Sequence, residues 1–271
     1  MIIVWVMEFN IKNMLNAANY EDLCGYSIIP PENKVFVNDI LEKNTVIFCK
    51  TDFLGHLFEN ITRSSHSYHL ITHHSDYAID EYLFSQKPFC IKKWFAINPT
   101  FKNEKLIAIP LGLKTHKGIY LEEVYKTSWF AENIDYLKNN PKEFKLYCNW
   151  NPTNIHRNTI IETLKKNNIN FTHENNKSFE EYATSMSKHR FVVSPPGNGI
   201  DCHRTWESLY LGCIPIVIKN YIYDNWQDLP ILQVNDYSEI NNELLNSFTK
   251  KTFNYEKLSI EYWANEIKNI L

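Results

Sequence analysis

Only 7 of the 271 residues are glycine, and none of the 6 cysteines belongs to a Cys-x-x-Cys pair. Cys24, Cys49, Cys90, Cys148, Cys202 and Cys213 mostly sit in or beside apolar runs, as buried free thiols do. A disulfide framework is therefore not indicated, and a reducing compartment is expected. No run approaches ~18 apolar residues, so no membrane span is expected. The apolar opening Met1-Ile2-Ile3-Val4-Trp5-Val6 is too short for a signal core and lacks a basic start, which points to a soluble, cytoplasmic protein. With a net charge of −3, a pI near 6.4 and no basic block, nucleic acid is a disfavoured partner. There is no His-Glu-x-x-His, and His69, His73 and His74 have no third ligand at helical spacing, so neither a metal nor a separate cofactor is expected. Asp-x-Asp triplets, fixed-period repeats and low-complexity tracts are missing too.

What the chain does have is 44% hydrophobic and 14% aromatic residues, ample for buried cores. Its length permits one large domain or two of about 130 residues. One stretch organises the rest. Phe191-Val192-Val193 reads as a short buried strand and ends in Ser194-Pro195-Pro196-Gly197-Asn198-Gly199, a turn-forming cluster. Asp201 to Leu211 reads as a helix, with Trp206, Leu209 and Tyr210 on its apolar stripe and Gly212 as its stop. Ile214 to Ile218 is a second buried strand. Strand, glycine loop, helix and strand form a βαβ unit whose binding place is the crevice above the strand ends.

That crevice suits an anion, because loop amides and the helix start present N–H groups and positive dipole. Arg204, near the helix start, offers a guanidinium for phosphate oxygens. Glu207, three positions on, shares its helix face and can accept from vicinal hydroxyls such as those of a ribose. A surface ion pair worth a few tenths of a kcal/mol is the bland alternative. The run from Phe191 to Val217, with its Pro-Gly loop, Arg204, Glu207 and Gly212-Cys213-Ile214-Pro215-Ile216-Val217, resembles the C-terminal half of the exostosin-like (family 47) glycosyltransferases. The resemblance implies an α/β fold of GT-B type, two Rossmann-like domains with parallel sheets facing across a cleft that holds a sugar nucleotide. It also implies that Arg204 holds the diphosphate and Glu207 the ribose. The lack of Asp-x-Asp weighs against the metal-using GT-A alternative.

The first half repeats strand and helix. Thr45–Cys49, Tyr68–Thr72, Lys93–Ala96 and Leu106–Ile109 read as strands, each ending in polar or glycine-bearing turns, which favours an open parallel sheet. Asp52–Thr62 reads as a helix with Phe53, Leu57, Phe58 and Ile61 inward, and 118–140 as another with Tyr120, Val124, Phe130 and Leu137 inward. Pro141 ends it and sets an expected boundary between domains 1–141 and 142–271. The turn His73-His74-Ser75-Asp76 carries two imidazoles and a carboxylate at a strand end. Sugar transfer to a hydroxyl needs a base there, and His74 and Asp76 are the candidates; an Asx-type turn with a solvated His74 is the alternative. Exostosin-like proteins show a similar turn and a downstream Pro-x-Gly, matched by Pro110-Leu111-Gly112.

In the second half, Phe144–Cys148 leads through Asn149-Trp150-Asn151 to a helix expected over 156–167, with Arg157 in its first turn. A cation there opposes the helix dipole, so contact with phosphate is a reason for its presence. Ile169–Thr172 is the next strand, and Phe179–Lys188 a helix on which Tyr182 is expected to pack in the core. Helices are also expected over 238–247 and 255–271, the last long enough to cross back to the first half. Besides Arg204 and Glu207, the donor-binding set comprises Arg157, Ser194, Gly197, Gly199, Asn151 and His203. The expected activity is transfer of a sugar from a nucleotide-sugar, a UDP-sugar by preference, to a glycan or other hydroxyl acceptor, with inversion and without metal. A sugar-nucleotide epimerase and a non-catalytic binding module are the rivals.

Overall fold

The computed structural model describes residues 11–28, 45–114, 121–151, 157–249 and 251–270. Met1–Val6, Tyr120, the Val124 side chain and His156 lie outside the described residues. In chain order the elements are α1 (Ala17–Asp22), β1 (Tyr26–Ile28), β2 (Thr45–Lys50), α2 (Leu54–Ile61), β3 (Tyr68–His73), α3 (Glu81–Ser85), β4 (Ile91–Ala96), β5 (Leu106–Ala108) and α4 (Leu121–Lys138). The second half continues with β6 (Glu143–Cys148), α5 (Ile160–Lys166), β7 (Phe171–His173), α6 (Phe179–Ser187), β8 (His189–Val193), α7 (His203–Tyr210) and β9 (Ile214–Ile218). It ends with α8 (Tyr221–Asp224), β10 (Leu232–Val234), α9 (Asn242–Phe248) and α10 (Ile260–Lys268).

Two parallel five-stranded sheets result, with strand orders β1-β2-β3-β4-β5 and β10-β9-β8-β6-β7. These are two Rossmann-like halves, as expected. The first sheet runs in sequence order and has no internal reversal. In the second, β6 pairs with β7 on one side and β8 on the other, so the strand order reverses between β6 and β8. Such a reversal opens a crevice at the carboxyl ends of the two strands.

Side-chain alternation along each strand explains how the layers pack. In the first sheet Ile47, Cys49, Leu70 and Trp94 face α2, where Leu54, Leu57, Phe58 and Ile61 close a core. Phe53, expected inward, is only half-buried. Val46, Phe48, Ile71 and Phe95 face the other way into a cluster that runs unbroken into the second half through Tyr147, Val192, Trp206 and Leu209. The far face of the second sheet packs Leu146, Phe191, Val193 and Ile216 on Ile160 and Leu164 of α5. Pro141 lies between the two sheets, yet α4, which precedes it, packs on α6. The segment before α1 also bridges the halves: Leu15 N–H donates to the Tyr210 hydroxyl, which donates to Leu258 C=O, both at 2.7 Å. Ile260 N–H, at the start of α10, donates to Asn13 C=O at 3.0 Å.

Besides α2 and α5, which start at Leu54 and Ile160, three expected helices are shorter than their apolar patterns. Side chains of Asn241 and Ser259 capture the N–H groups of Leu244 and Glu261, so α9 and α10 start afresh after short 3-10 turns at Tyr237–Glu239 and Glu256–Leu258. The third, α7, begins at His203 rather than Asp201 because the Asp201 carboxyl is engaged elsewhere, as described below. At its other end Gly212 takes φ +69, with its N–H on Leu209 C=O and that of Cys213 on Ser208 C=O. This is a Schellman stop. A Cβ on Gly212 would meet nothing nearer than Lys142 Cε at 3.6 Å. Gly212→Ala should therefore lose about 1 kcal/mol from the left-handed backbone alone, read as a small drop in the urea midpoint at unchanged slope.

Candidate functional site

The carboxyl ends of both sheets face one cleft of about 710 Å³. Its second-half wall is built on the β6/β8 reversal. Arg204 lies in the first turn of α7, and its Nε and Nη1 are buried without a hydrogen-bond partner. One turn on, Glu207 is buried and its Oε2 accepts from the Tyr182 hydroxyl at 2.7 Å. Burial pushes the Glu207 carboxyl up from its ordinary pKa, while the Tyr182 bond and the charges of Arg204 and Lys114 pull it back. Tyr182, expected in the core, packs its ring there and gives its hydroxyl to the site.

Arg157 differs from expectation. It sits in a turn ahead of α5, not in the first turn of that helix, so the helix dipole does not act on it as supposed. Its guanidinium donates to Pro196 C=O (3.0 Å), Asn151 C=O (2.8 Å) and Pro195 C=O (3.3 Å). Arg157 thereby pins the glycine loop to the end of β6 while lining the cleft, and burial followed by repulsion from Arg204 pushes its pKa down. Ser194 does not line this cleft: it is buried beneath the loop, its hydroxyl 2.9 Å from Thr205 Oγ1. Gly197 and Gly199 do line it, and both are places of close approach. A Cβ on Gly197 would come within 3.2 Å of Arg157 Nη2, and one on Gly199 within 3.1 Å of Asn98 Nδ2 and 3.4 Å of Asp76 Oδ1. Asn151 lines the mouth. His203 Nδ1 donates to Gly112 C=O at 2.7 Å, across to the first half.

The facing wall comes from the end of β3. His73 is buried, stacked on Phe48 and tilted against Tyr20, and its Nδ1 accepts the His74 N–H at 2.9 Å. His74 then turns at φ 60, an uncommon conformation for a residue with a Cβ, and lines the cleft together with Asp76. His74 and Asp76 thus line the same cleft as Arg204 and Glu207.

Two residues that sequence reasoning passed over hold the walls in register. Asn98, buried at φ 55, accepts the Asp201 N–H on Oδ1 at 3.0 Å and reaches Ser75 C=O through Nδ2 at 3.5 Å. Asp201, also buried, accepts from Leu111 N–H, Cys202 N–H, Trp206 Nε1 and the Tyr223 hydroxyl. Its only sequence signal was its place after the glycine loop. Among the described residues, five cations (Lys114, Lys126, Arg157, Lys177, Arg204) and three carboxyls (Asp76, Asp201, Glu207) line the cleft, an excess that favours a polyanion.

No family model matches this chain. No curated protein matches it either, so neither comparison supports the expected exostosin-like family. Among solved structures the chain is similar to an α1,3-fucosyltransferase with GDP-fucose, at 10% identity over 86% of this chain and 78% of that one, with a TM-score of 0.40. It is also similar to the GtfA/B complex, at 10% identity, TM-score 0.35, over 85% of this chain and 55% of that one. Among the described residues no helix is long and apolar enough to cross a membrane. The reading that follows rests on the cleft's own residues.

Proposed function

We propose that the chain is a glycosyltransferase that moves a sugar from a nucleotide-sugar donor to a hydroxyl acceptor. The observation that carries this is Arg204, whose Nε and Nη1 are buried without a partner one turn from Glu207, in a basic cleft at the sheet's reversal point. A guanidinium so placed grips a diphosphate, and the Tyr182-braced carboxyl accepts from ribose hydroxyls. The acceptor oxygen attacks the anomeric carbon from the His74–Asp76 side as the bond to the diphosphate breaks on the other, which inverts the centre. The base takes the acceptor proton. Arg204, with Arg157 behind it, stabilises the charge that collects on the departing diphosphate, so the site provides for a metal-independent reaction. A UDP-sugar is the donor favoured by the resemblance to exostosin-like enzymes.

Thermal unfolding against a panel of UDP-, GDP- and other sugar nucleotides tests the donor. A true donor near 100 times its Kd adds about 2.7 kcal/mol, roughly 5–10 °C for a chain of this size. Arg204→Gln should erase that rise. In a transfer assay, His74→Ala or Asp76→Asn should lower kcat about 10²–10⁴-fold, whichever residue is the base, and leave the donor-induced rise in place. Wild-type turnover in both variants would remove the base from this wall.

A further inference from the structure

In a continued strand, successive side chains leave on opposite faces of the sheet. At the end of β3 they do not. The rings of His73 and His74 both meet Phe48, at centroid distances of 6.4 and 5.8 Å, and each other edge to face at 5.4 Å. The left-handed backbone of His74, at φ 60, brings its ring back to the face that His73 already occupies. A residue with a Cβ keeps that conformation only where its surroundings impose it. One such constraint is short and local: His74 N–H donates to His73 Nδ1 at 2.9 Å. An accepting Nδ1 leaves the ring proton on Nε2, so the bond requires a neutral imidazole in one tautomer. His73 is itself held in place, 1% exposed and packed against Phe48 and Tyr20.

We propose that His73 is a positioning residue: its buried Nδ1 holds the left-handed turn that delivers His74, and with it Asp76, to the cleft. This role rests on the transferase reading above and adds to it a residue that acts through its neighbour rather than on the substrate. Two substitutions separate the hydrogen bond from the packing. His73→Phe keeps a flat ring against Phe48 and Tyr20 and has no acceptor. His73→Asn gives up the ring and sets an accepting Oδ1 as many bonds from the backbone as Nδ1 was. A histidine kept for packing alone would tolerate the first change better than the second. A histidine kept for its acceptor reverses that order.

Crystal structures of the full chain should show residue 74 at φ near 60 in wild type and in His73→Asn, and at negative φ in His73→Phe. In the transfer assay, with the UDP- or GDP-sugar that raises the melting temperature most, His73→Phe should lower kcat about 10–100-fold. Its donor KM should stay within about twofold and its donor-induced thermal rise unchanged, because the donor is gripped from the other half. His73→Asn should bring kcat back to within about threefold of wild type. Circular dichroism checks that each variant is folded, and His73→Leu, smaller and equally without an acceptor, replaces His73→Phe if that variant fails. A positive φ at residue 74 or wild-type kcat in His73→Phe, beside a slow His74→Ala or Asp76→Asn, overturns the positioning role and leaves the base on this wall. Wild-type turnover in both His74→Ala and Asp76→Asn overturns the base reading, and the role of His73 falls with it.

Discussion

Gly112→Ala is expected to cost several kcal/mol, enough to leave little folded protein at 37 °C. Gly112 has φ +67, where a Cβ alone costs ~1–2 kcal/mol. The larger cost is steric. The added carbon would stand 2.2 Å from Leu15 O and 2.5 Å from Leu15 C, atoms of another backbone segment that no rotamer change can move. Relief requires that Leu113 release its 2.7 Å bond to Leu15 C=O, and the same peptide carries the carbonyl that receives His203. A loss of roughly 3–5 kcal/mol follows, in the range reserved for breaking a buried fixture. Paired urea unfolding of Gly112→Ala and Gly212→Ala reads the difference. The two glycines share a sign of φ and differ only in what surrounds them, so equal losses would show that the close approach to Leu15 adds nothing to the cost.

The same comparison shows how much of the fold was legible. Both glycines looked like turn residues, and only the packing of a distant segment separates them. Buried strands were readable because a run such as Tyr68 to Thr72 is largely apolar, buried on both faces, and ends abruptly in polar residues. By contrast α1 and β1 were passed over: β1 is three residues at a sheet edge, and α1 is six residues with no periodic stripe long enough to register. The starts of α9 and α10 slipped because Asn241 and Ser259 caught the backbone first. Most of the proposed site was foreseen because strand ends in a parallel sheet point at one crevice, so polar residues just past β3, β6 and β8 were placed there by topology alone. What topology does not give is the partner of each side chain. Arg157 and Arg204 are both cations near helix starts in the sequence, yet one is held by three carbonyls and the other lines the cleft with two of its donors buried and without a partner.

Asp201→Asn is expected to destabilise the protein by an amount that depends on pH in a particular direction. Four donors converge on this carboxyl: Trp206 Nε1 at 2.7 Å, Cys202 N–H at 2.8 Å, Leu111 N–H at 3.0 Å and the Tyr223 hydroxyl at 3.2 Å. An amide accepts on one side only, so two donors would face an NH₂ group. At ~1–3 kcal/mol for each buried donor left unmet, the loss is roughly 2–5 kcal/mol. Because Leu111 belongs to the first half, part of that loss should loosen the cleft and weaken donor binding as well. The charge acts in the opposite sense. The four donors favour the anion, but burial outweighs them and lifts the pKa from 3.8 to about 6. A carboxyl whose pKa is raised on folding makes its full contribution below about 4, and that contribution is lost as pH rises through about 6, a change of about 3 kcal/mol when complete. Asn titrates nowhere in this window. The stability gap between wild type and Asp201→Asn should therefore be widest near pH 4 and narrow by roughly 2 kcal/mol by pH 8, measured by urea unfolding of both proteins at each pH. A gap that widened with pH would mean that the donors overcome burial, and that the two halves are fastened by a stabilised anion rather than by a carboxyl ionised at a cost.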